Sequence, residues 1–352
     1  MPRLRRIDCG NPGISRVRRG RGFSYHDPAG DRISDPEVLE RIRALAIPPA
    51  WREVWICPHP MGHLQATGVD AAGRKQYRYH GLWRRRRDRQ KFDAMLDFAE
   101  ALPRLRRRVT RDLRADPDLG RRRVLACSVR LLDLGFFRIG SEDYVPSDDA
   151  DEPGSYGLAT IRKDHVSIEG EEVVFDYPGK SGQRRVHAVV DADVREIVAR
   201  LLRRRGGSPE LLAHRDPDGW HDVRSDDIND YVKALVPGHT AKDFRTWSGT
   251  LLAAVALAAP SRRRASRTAR DRAIAAAVKD VAAYLGNTPA VARSAYIDPR
   301  VFDRYRSGWV IALEDLGGPA AVADQRKRER IEAAVIDLIR DEEGSARLEK
   351  AA

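Results

Sequence analysis

A single tyrosine near the carboxyl end, in the stretch LGNTPAVARSAYIDPRVFDRY, is the first residue whose setting points to chemistry. The pattern predicts that one helix ends at Gly286 and that a short one begins at Thr288, which leaves Tyr296 at or just past its end. Such a tyrosine is either a packing residue with a polar tip or a nucleophile. Because a phenol has a pKa of about 10, it attacks a phosphodiester only where positive groups favour phenolate and offset charge on the phosphoryl oxygens.

Two arginines could supply that positive charge. Arg138 follows a helix that we predict to be capped by Gly135, and its neighbours are apolar, so it either extends to solvent or is held inward for a ligand. Arg245 falls near the second turn of a helix with capping-box spacing at Thr240 and Asp243, where the N-terminal amides favour an anion. Taken alone, Arg245 is better interpreted as an exposed helix residue.

Lys180 and Asn287 complete the candidate set. Lys180 lies at the tip of the predicted hairpin DYPGKSGQRR, where a lysine is usually solvated but could reach into a cleft and give up a proton. Asn287 follows Gly286 and is either a turn former or a neutral hydrogen-bond donor to phosphate. Each of the five candidates therefore has a purely structural alternative.

The elements that must position these residues indicate an α+β chain with two domains. A short helix opening at Asp35 and a small antiparallel sheet in EVWICPHPMGHLQATGVDAAGRKQYRYH follow residues 1–20, which we expect to be loose. We predict a small β-rich N-terminal domain at 1–88, with a connector at Arg84–Arg87, and a larger, mainly α-helical domain at 89–352.

Inside the larger domain, alternating apolar residues predict three antiparallel strands between Ser155 and Val190. From about residue 320 the sequence predicts a charged amphipathic helix, expected to be a solvated surface helix; the alternative is that it docks on the body of the domain. The remaining helices are predicted at 90–101, 104–114, 120–134, 191–204, 226–235, 241–259 and 268–285.

Composition narrows the class of partner. The chain has 352 residues with 64 basic and 52 acidic side chains, a net charge of +12 that is mostly arginine and favours nucleic acid; arginine-rich codon usage is the alternative. Cys9, Cys57 and Cys127 are far apart, so neither disulfides nor a zinc site is indicated and a reducing cytoplasm fits. There is no long apolar run for a membrane and no phosphate-binding GxxxxGK[ST] loop for a nucleotide.

The joint order FRIG…SYGL…GKSG…KDFRTW…GNTPAVARSAY resembles the catalytic domain of the type IB DNA topoisomerases, in their small bacterial and poxvirus-like branch. The resemblance runs from about Ile47 to Tyr305, and the stretch before Gly81 is similar to that branch's DNA-clamp domain. It implies the catalytic fold shared with the tyrosine recombinases and a two-domain clamp around double-stranded DNA.

The resemblance also implies a role for each candidate. Tyr296 would attack one strand, become linked to a 3′-phosphate and expel a 5′-hydroxyl. Arg138 and Arg245 would bind the non-bridging oxygens, Lys180 would be the principal general acid, and Asn287 would donate to a phosphoryl oxygen where many relatives have histidine. Swivelling of the free 5′ end and religation would relax positive and negative supercoils without ATP, cofactor or metal.

Six residues of the predicted last strand of the sheet are expected to contact DNA: Arg74, Lys75, Gln76, Tyr77, Arg78 and Tyr79. In a strand, Gln76 and Arg78 would share one side and Tyr77 and Tyr79 the other. By resemblance, Gln76 and the two tyrosines touch the duplex from its major-groove side. The alternative is that the tyrosines cover the sheet and only the basic residues are exposed.

Two other functions stay open at this level. A tyrosine recombinase would share the chemistry but usually carries HxxR, where this chain has Lys242 at the first position of KDFR. A non-catalytic basic DNA-binding protein would bind without forming an adduct. A monomer is sufficient for the mechanism, and the expected location is the bacterial cytoplasm, in association with the nucleoid.

Overall fold

A computed structural model of the protein describes residues 3–115, 117–142, 154–259, 266–319, 322 and 324–351. The chain divides into two compact units, Met1–Asp93 and Ala94–Ala352. The first is rich in β-strands and the second is mainly helical, which confirms the mixed organisation predicted from the sequence. Among the residues described, no helix has both the length and the apolar character needed to cross a membrane.

The first unit is built on a five-stranded antiparallel sheet with the order β2-β1-β3-β4-β5. Its helix α1 (Pro36–Ala44) begins where Asp35 accepts hydrogen bonds from two main-chain amides, as predicted. Ile42 of α1 is buried against Ile14 and Ile56 of the sheet. The strands are β1 (Ile14–Arg19), β2 (Gly22–His26), β3 (Arg52–Ile56), β4 (Leu64–Val69) and β5 (Lys75–Tyr79).

The expectation that residues 1–20 are loose is wrong, because β1 lies inside the sheet between β2 and β3. Ile14 is only 4% exposed and anchors the strand in the core. Arg16 hydrogen-bonds the carbonyls of Pro48 and Trp51 instead of being solvated. Hydrophobic alternation did not predict this strand, because arginine satisfies main-chain carbonyls within the fold where the pattern would need an apolar residue.

One continuous helix, α2 (Gly81–Arg114), replaces the connector at Arg84–Arg87 and the two helices predicted at 90–101 and 104–114. Pro103 lies within this helix, although an interior proline costs on the order of 3 kcal/mol. Phe98, Leu102 and Leu105 are almost fully buried on either side of the proline. Burial of this shared apolar face offsets the lost hydrogen bond, so the helix continues.

The second unit surrounds a buried central helix, α6, and carries the three-stranded antiparallel sheet that the sequence predicted, in the order β6-β7-β8. Two two-stranded sheets, β9-β10 and β11-β12, were not predicted. Its helices are α3 (Arg121–Gly135), α4 (Ala192–Arg203), α5 (Ser225–Leu235), α6 (Ala241–Ala258), α7 (Arg267–Leu285), α8 (Pro289–Val291), α9 (Pro299–Arg306) and α10 (Gln325–Arg340). Its strands are β6 (Val166–Glu169), β7 (Glu172–Pro178), β8 (Arg184–Val190), β9 (Ala213–Asp216), β10 (Gly219–Asp222), β11 (Trp309–Ile311) and β12 (Leu348–Lys350).

Helix α10 packs into the core of this unit, so the expectation of a solvated surface helix is wrong and the alternative that the helix docks on the body is confirmed. Glu332 of α10 accepts hydrogen bonds at 2.7 and 2.8 Å from Arg106 of α2, and Arg106 also pairs with Asp133 of α3 at 2.8 Å. Arg328, one turn before Glu332, lies 3.4 Å from Asp133 and 3.1 Å from Glu332. Two cations and two anions therefore neutralise one another inside the unit, which is how a charged helix can be buried.

The buried network makes the stability of the fold depend on pH through Asp133. Burial by itself raises the pKa of Asp133, but Arg106 and Arg328 overcome this effect and hold it well below its ordinary value. A depressed carboxyl pKa stabilises the fold above the unfolded pKa of about 4, and that stabilisation is lost as the pH falls below it. Asp133→Asn should therefore lower the free energy of unfolding by about 3–5 kcal/mol at pH 7.

Urea unfolding between pH 7 and pH 3 measures both effects. The Asp133→Asn protein should also lose less stability than the wild type on acidification. Asp230→Asn is the matched control, because Asp230 is exposed and pairs with exposed Lys233, so its loss should stay below about 1 kcal/mol. Equal losses in the two variants would show that the network does not hold α10 in place.

Candidate active site

The turn after α3 holds Arg138 inward. The predicted cap at Gly135 is wrong by one residue, since Phe136 takes the left-handed conformation (φ 57°) and Gly135 is the last helical residue. A Cβ at Gly135 would lie 2.1 Å from the ring of Phe137, so the glycine is required for this close approach. Arg138 then donates to the Gly286 carbonyl at 3.0 Å and to Oδ1 of Asn287.

Arg245 connects the ends of two helices to the tyrosine. It lies in the second turn of α6, after the predicted capping box in which Asp243 accepts from the Thr240 amide at 2.8 Å. The sequence alone favoured an exposed side chain, but Arg245 is buried, with only 5% of its surface accessible. It donates to the carbonyls of Phe136 and Leu285, and its guanidinium lies 5.2 Å from the centre of the Tyr296 ring.

Burial, and then the neighbouring charge of Arg138, lowers the pKa of Arg245 to about 10, while Tyr296 acts in the opposite direction. The guanidinium is therefore still charged at neutral pH. Among the residues described, no carboxylate lies within 4.0 Å of the guanidinium of Arg138 or Arg245. The two cations are satisfied by neutral oxygens, so an anion that enters beside them meets uncompensated positive charge.

Tyr296 is the last residue of a single π-helical turn, Ala292–Tyr296, that follows the short helix α8. Its side chain is half-buried, and its main chain lies against α6 at Gly249, where a Cβ would come within 2.6 Å of the Tyr296 carbonyl. The amide of Asp298 donates to the Thr250 hydroxyl at 3.0 Å. These contacts fix the backbone on both sides of the phenol against α6.

Asn287 lies in the turn that the sequence predicted. Gly286 ends α7 in the left-handed conformation (φ 61°), and Thr288 caps α8. The Asn287 Oδ1 accepts from Arg138, while its Nδ2 is buried and has no hydrogen-bond partner among the residues described. The amide is thereby oriented with an unused donor, and an unused buried donor is costly unless something binds to it.

Lys180 is exposed in a short 3₁₀ turn, Lys180–Gly182, at the tip of the hairpin formed by β7 and β8. The tip is closed by a hydrogen bond of 2.8 Å from the Gly179 amide to the Gln183 carbonyl. Lys180 lines the same small cleft as Arg138 and Arg245. Tyr296 joins this group through its contact with Arg245, so the structure brings the five candidates, which are far apart in sequence, together in the second unit.

The residues of the cleft that the sequence interpretation missed include Tyr177, Arg185 and His187. Burial lowers the pKa of His187 to about 4, with further lowering from Arg185 and Arg245, so its ring is neutral at neutral pH. Burial raises the pKa of Tyr177 to about 12, although the three nearby arginines act in the opposite direction. Alternation along β8 was the available signal, because it places Arg185 and His187 on one face of the hairpin.

The first unit presents a different surface on β5. Tyr77 and Tyr79 are 46% and 41% exposed and stack with ring centres 6.1 Å apart, so the alternative that they cover the sheet is wrong. Gln76 donates to Asp70 at 2.9 Å, and Arg78 donates to the Ala46 carbonyl at 3.0 Å. The predicted alternation is confirmed.

Arg74 and Lys75 are also exposed, but their settings differ. Arg74 pairs with Asp70 at 3.0 Å. Lys75 lies 6.0 Å from the ring centre of Tyr77. The tyrosines and Lys75 therefore form the open face of β5.

Among the residues described, no group of three or more histidine, cysteine, aspartate or glutamate side chains is arranged to hold a metal ion. The polar atoms that converge in the cleft are instead guanidinium, amine, amide and phenol groups. Such a set of donors suits an anion with several oxygens, of which a phosphodiester is the common example.

Comparison with known proteins agrees with this arrangement over most of the chain. A family model of the eukaryotic DNA topoisomerase I catalytic core matches residues 80–307, and one of the bacterial DNA topoisomerase IB N-terminal domain matches residues 22–70. The chain is 30% identical over 301 residues to DNA topoisomerase 1B of Acanthamoeba polyphaga mimivirus, which covers 84% of this chain and 88% of that protein.

More distant relatives match only a part of the chain. DNA topoisomerase 1 alpha of Arabidopsis thaliana is 26% identical over 165 residues, or 47% of this chain and 16% of the plant protein. DNA topoisomerase 1 of Schizosaccharomyces pombe is also 26% identical over 165 residues, or 46% of this chain and 19% of the yeast protein.

The close approach of α6 to the tyrosine turn can be tested at Gly249. Alanine favours a helix by about 1 kcal/mol over glycine, but its Cβ would meet a main-chain oxygen that cannot move aside easily. Gly249→Ala should therefore lower the free energy of unfolding by about 1–3 kcal/mol in urea titrations. Gly81→Ala, at an open position of α2, should be neutral or stabilising. If both variants are equally stable, the turn does not lie against α6.

Proposed function

The chain belongs to the type IB DNA topoisomerase family, and from that premise we propose that it relaxes supercoiled DNA through a covalent 3′-phosphotyrosyl intermediate formed by Tyr296. The observation that carries the proposal is the position of Arg245. This buried, charged guanidinium faces the Tyr296 ring, and no carboxylate among the residues described neutralises it. A reacting phosphodiester supplies the missing negative charge.

In the cleavage step the Tyr296 oxygen attacks the phosphorus and the bond to the 5′-oxygen breaks. The phenol releases its proton to solvent, and the leaving 5′-oxygen takes up a proton from Lys180. Arg138 and Arg245 bind the non-bridging oxygens, on which negative charge accumulates in the transition state. Donors that are fixed before the reaction need no reorganisation, and one such donor typically contributes on the order of 10²- to 10³-fold in rate. The hydrogen bonds of both arginines to main-chain carbonyls support this preorganised role.

Asn287 supplies a further neutral donor in this proposal. Its buried and unpartnered Nδ2 is free to bind a phosphoryl oxygen, while Arg138 holds its Oδ1. The amide cannot add the positive charge that histidine brings to many relatives. Arg138 and Arg245 therefore carry most of the electrostatic stabilisation.

Lys180 protonates the departing 5′-oxygen. Its exposed position at a hairpin tip is compatible with reaching a duplex that lies over the cleft. The covalent linkage conserves the energy of the broken phosphodiester, so religation by the 5′-hydroxyl requires no ATP, and the arginines and lysine supply the charge that a metal would otherwise provide. Rotation of the free strand between the two steps releases supercoils of either sign.

We further propose that the first unit contacts double-stranded DNA through β5. The stacked and exposed rings of Tyr77 and Tyr79, with Lys75 beside them, support this assignment. Gln76 and Arg78 lie on the other side of the strand in hydrogen bonds to protein groups, so contact with DNA requires that they exchange these partners. The net charge of +12 predicts a binding affinity that falls steeply with salt.

The finer assignments follow from the same premise. We propose that the second unit has the catalytic fold shared with tyrosine recombinases, that the enzyme acts as a monomer, and that it works in the cytoplasm on nucleoid DNA. The match to the bacterial topoisomerase IB N-terminal domain favours a topoisomerase over a recombinase.

The central test is relaxation of supercoiled plasmid in EDTA without nucleotide, together with trapping of the protein on labelled DNA by denaturant. The wild type should relax both positive and negative supercoils and form the adduct. Tyr296→Phe should do neither yet bind DNA with unchanged affinity, because only the nucleophilic oxygen is lost. Tyr284→Phe is the matched control, since Tyr284 is 60% exposed, and it should remain fully active. Relaxation by Tyr296→Phe would exclude Tyr296 as the nucleophile, and DNA binding by the wild type without adduct would indicate a non-catalytic protein.

The role of Lys180 is tested with a leaving group that needs no proton. Lys180→Ala should cleave an ordinary phosphodiester on the order of 10²- to 10⁴-fold more slowly. It should cleave a duplex with sulfur at the 5′-bridging position at nearly the wild-type rate. Single-turnover cleavage at a site mapped with the wild type measures both rates, and equal losses on the two substrates would exclude Lys180 as the general acid.

A further inference from the structure

Arg185 lines the cleft, and neither the sequence pattern nor the comparisons give it a role. It is the second residue of β8 and faces Tyr177 across the hairpin. Its Nη2 donates to the Tyr284 carbonyl at 2.8 Å, and its Nη1 lies 3.5 Å from the Ala283 carbonyl. Both carbonyls belong to the last turn of α7, where main-chain oxygens and the helix dipole favour a cation. The Ala283 carbonyl also accepts from the Gly286 amide at 3.2 Å.

The same side chain lies against the two glycines that precede Lys180 and Asn287. A Cβ at Gly179 would come within 2.6 Å of the Arg185 Cγ. A Cβ at Gly286 would come within 2.4 Å of the Arg185 Cζ, so the guanidinium lies directly on the helix cap. Arg185 thus extends from the hairpin that carries Lys180 to the turn that carries Asn287.

Its neighbour Arg184 has the opposite setting. Arg184 is 76% exposed on the other face of β8 and pairs with Asp176, with 2.8 Å between Nε and Oδ1. Comparing variants of the two adjacent arginines therefore distinguishes the loss of a cleft contact, at Arg185, from the loss of a surface ion pair, at Arg184. Position along the chain, charge and residue type are otherwise matched.

We propose that Arg185 is a positioning residue that docks the β7–β8 hairpin on the end of α7 and so holds Lys180 where it can protonate the leaving 5′-oxygen. Lys180 itself is exposed in a three-residue turn whose hydrogen bonds lie within the tip. The arginine five residues later gives this hairpin end two main-chain hydrogen-bond contacts with α7. This inference rests on the proposed function, since it assigns to Arg185 the placement of the general acid.

A residue that acts only through Lys180 should matter only when the leaving group needs a proton. Arg185→Ala should slow single-turnover cleavage of an ordinary phosphodiester by about 10- to 100-fold. With sulfur at the 5′-bridging position, its rate should lie within about threefold of the wild type. Arg185→Lys should regain part of the ordinary rate, because an amine can still donate to a carbonyl of α7.

Two further variants complete the experiment. Lys180→Ala/Arg185→Ala should be no slower than Lys180→Ala alone, because residues that act as a unit are not additive. Arg184→Ala should cleave both substrates at the wild-type rates. Rapid cleavage of the sulfur substrate by Arg185→Ala also shows that the variant is folded.

The proposal is overturned if Arg185→Ala lowers the cleavage rate equally on both substrates. That result would mean that Arg185 binds the phosphate directly or only stabilises the fold. It is also overturned if Arg185→Ala has no effect, if the double variant shows additive losses, or if Lys180→Ala itself shows no recovery with sulfur. In each case adduct formation by the wild type is measured separately. The proposed topoisomerase reaction can therefore be supported even when the proposed role of Arg185 is excluded.

Discussion

The Arg245 guanidinium is buried with no carboxylate partner in the part of the chain that the structure describes, and this is the constraint on which the rest of the structure depends. A buried cation is costly unless hydrogen bonds satisfy it, and here the carbonyls of Phe136 and Leu285 do so. Those two carbonyls belong to the ends of α3 and α7, and both helix ends are therefore held around one charge. In surroundings of low polarity that charge acts strongly on any anion beside it. The cost of burial and the attraction of an anion therefore have the same physical origin.

On the opposite side of the central helix α6, the buried charges are arranged differently, as a neutral network. Two residues after Arg245, the indole of Trp247 donates to Glu332 at 3.2 Å, and Glu332 belongs to the neutral network with Arg106, Asp133 and Arg328. Every cation there has a carboxylate partner. The network fixes α2, α3 and α10 to α6 from behind. Arg138 and Arg245, which have no carboxylate partner within the described ranges, thus stand on an electrically balanced support.

The cleft also depends on positions without a side chain. Each of three glycines leaves room for a neighbouring group. The main chain of the Tyr296 turn packs on Gly249, the Arg185 guanidinium packs on Gly286, and the Phe137 ring packs on Gly135. At each position a Cβ would come closer than 2.7 Å to its neighbour. Only Gly286 is also required by its backbone conformation (φ 61°). Close approach, more than backbone freedom, explains why glycines surround this site.

Local signals in the sequence were sufficient for the elements that depend on local physics. The cap at Asp35, the capping box at Thr240, the end of α7 at Gly286 and the three-stranded sheet all follow from short-range hydrogen bonding and alternation. Predictions failed where distant residues decided the outcome. Pro103 did not divide α2, because the apolar face on both sides of it is buried. The charges of α10 did not keep that helix at the surface, because their partners come from α2 and α3.

The sequence by itself determined which chemical groups the site contains and their order along the chain, which was enough to indicate the family. It did not determine that Arg245 is buried, that Arg138 orients Asn287, or that Arg185 joins the Lys180 hairpin to α7. These facts depend on contacts between residues separated by 40 to 149 positions. A guanidinium has the same composition whether it is solvated, paired or held by carbonyls. Only the tertiary structure decides which of these states it adopts, because the partners that satisfy it are brought by other elements of the fold.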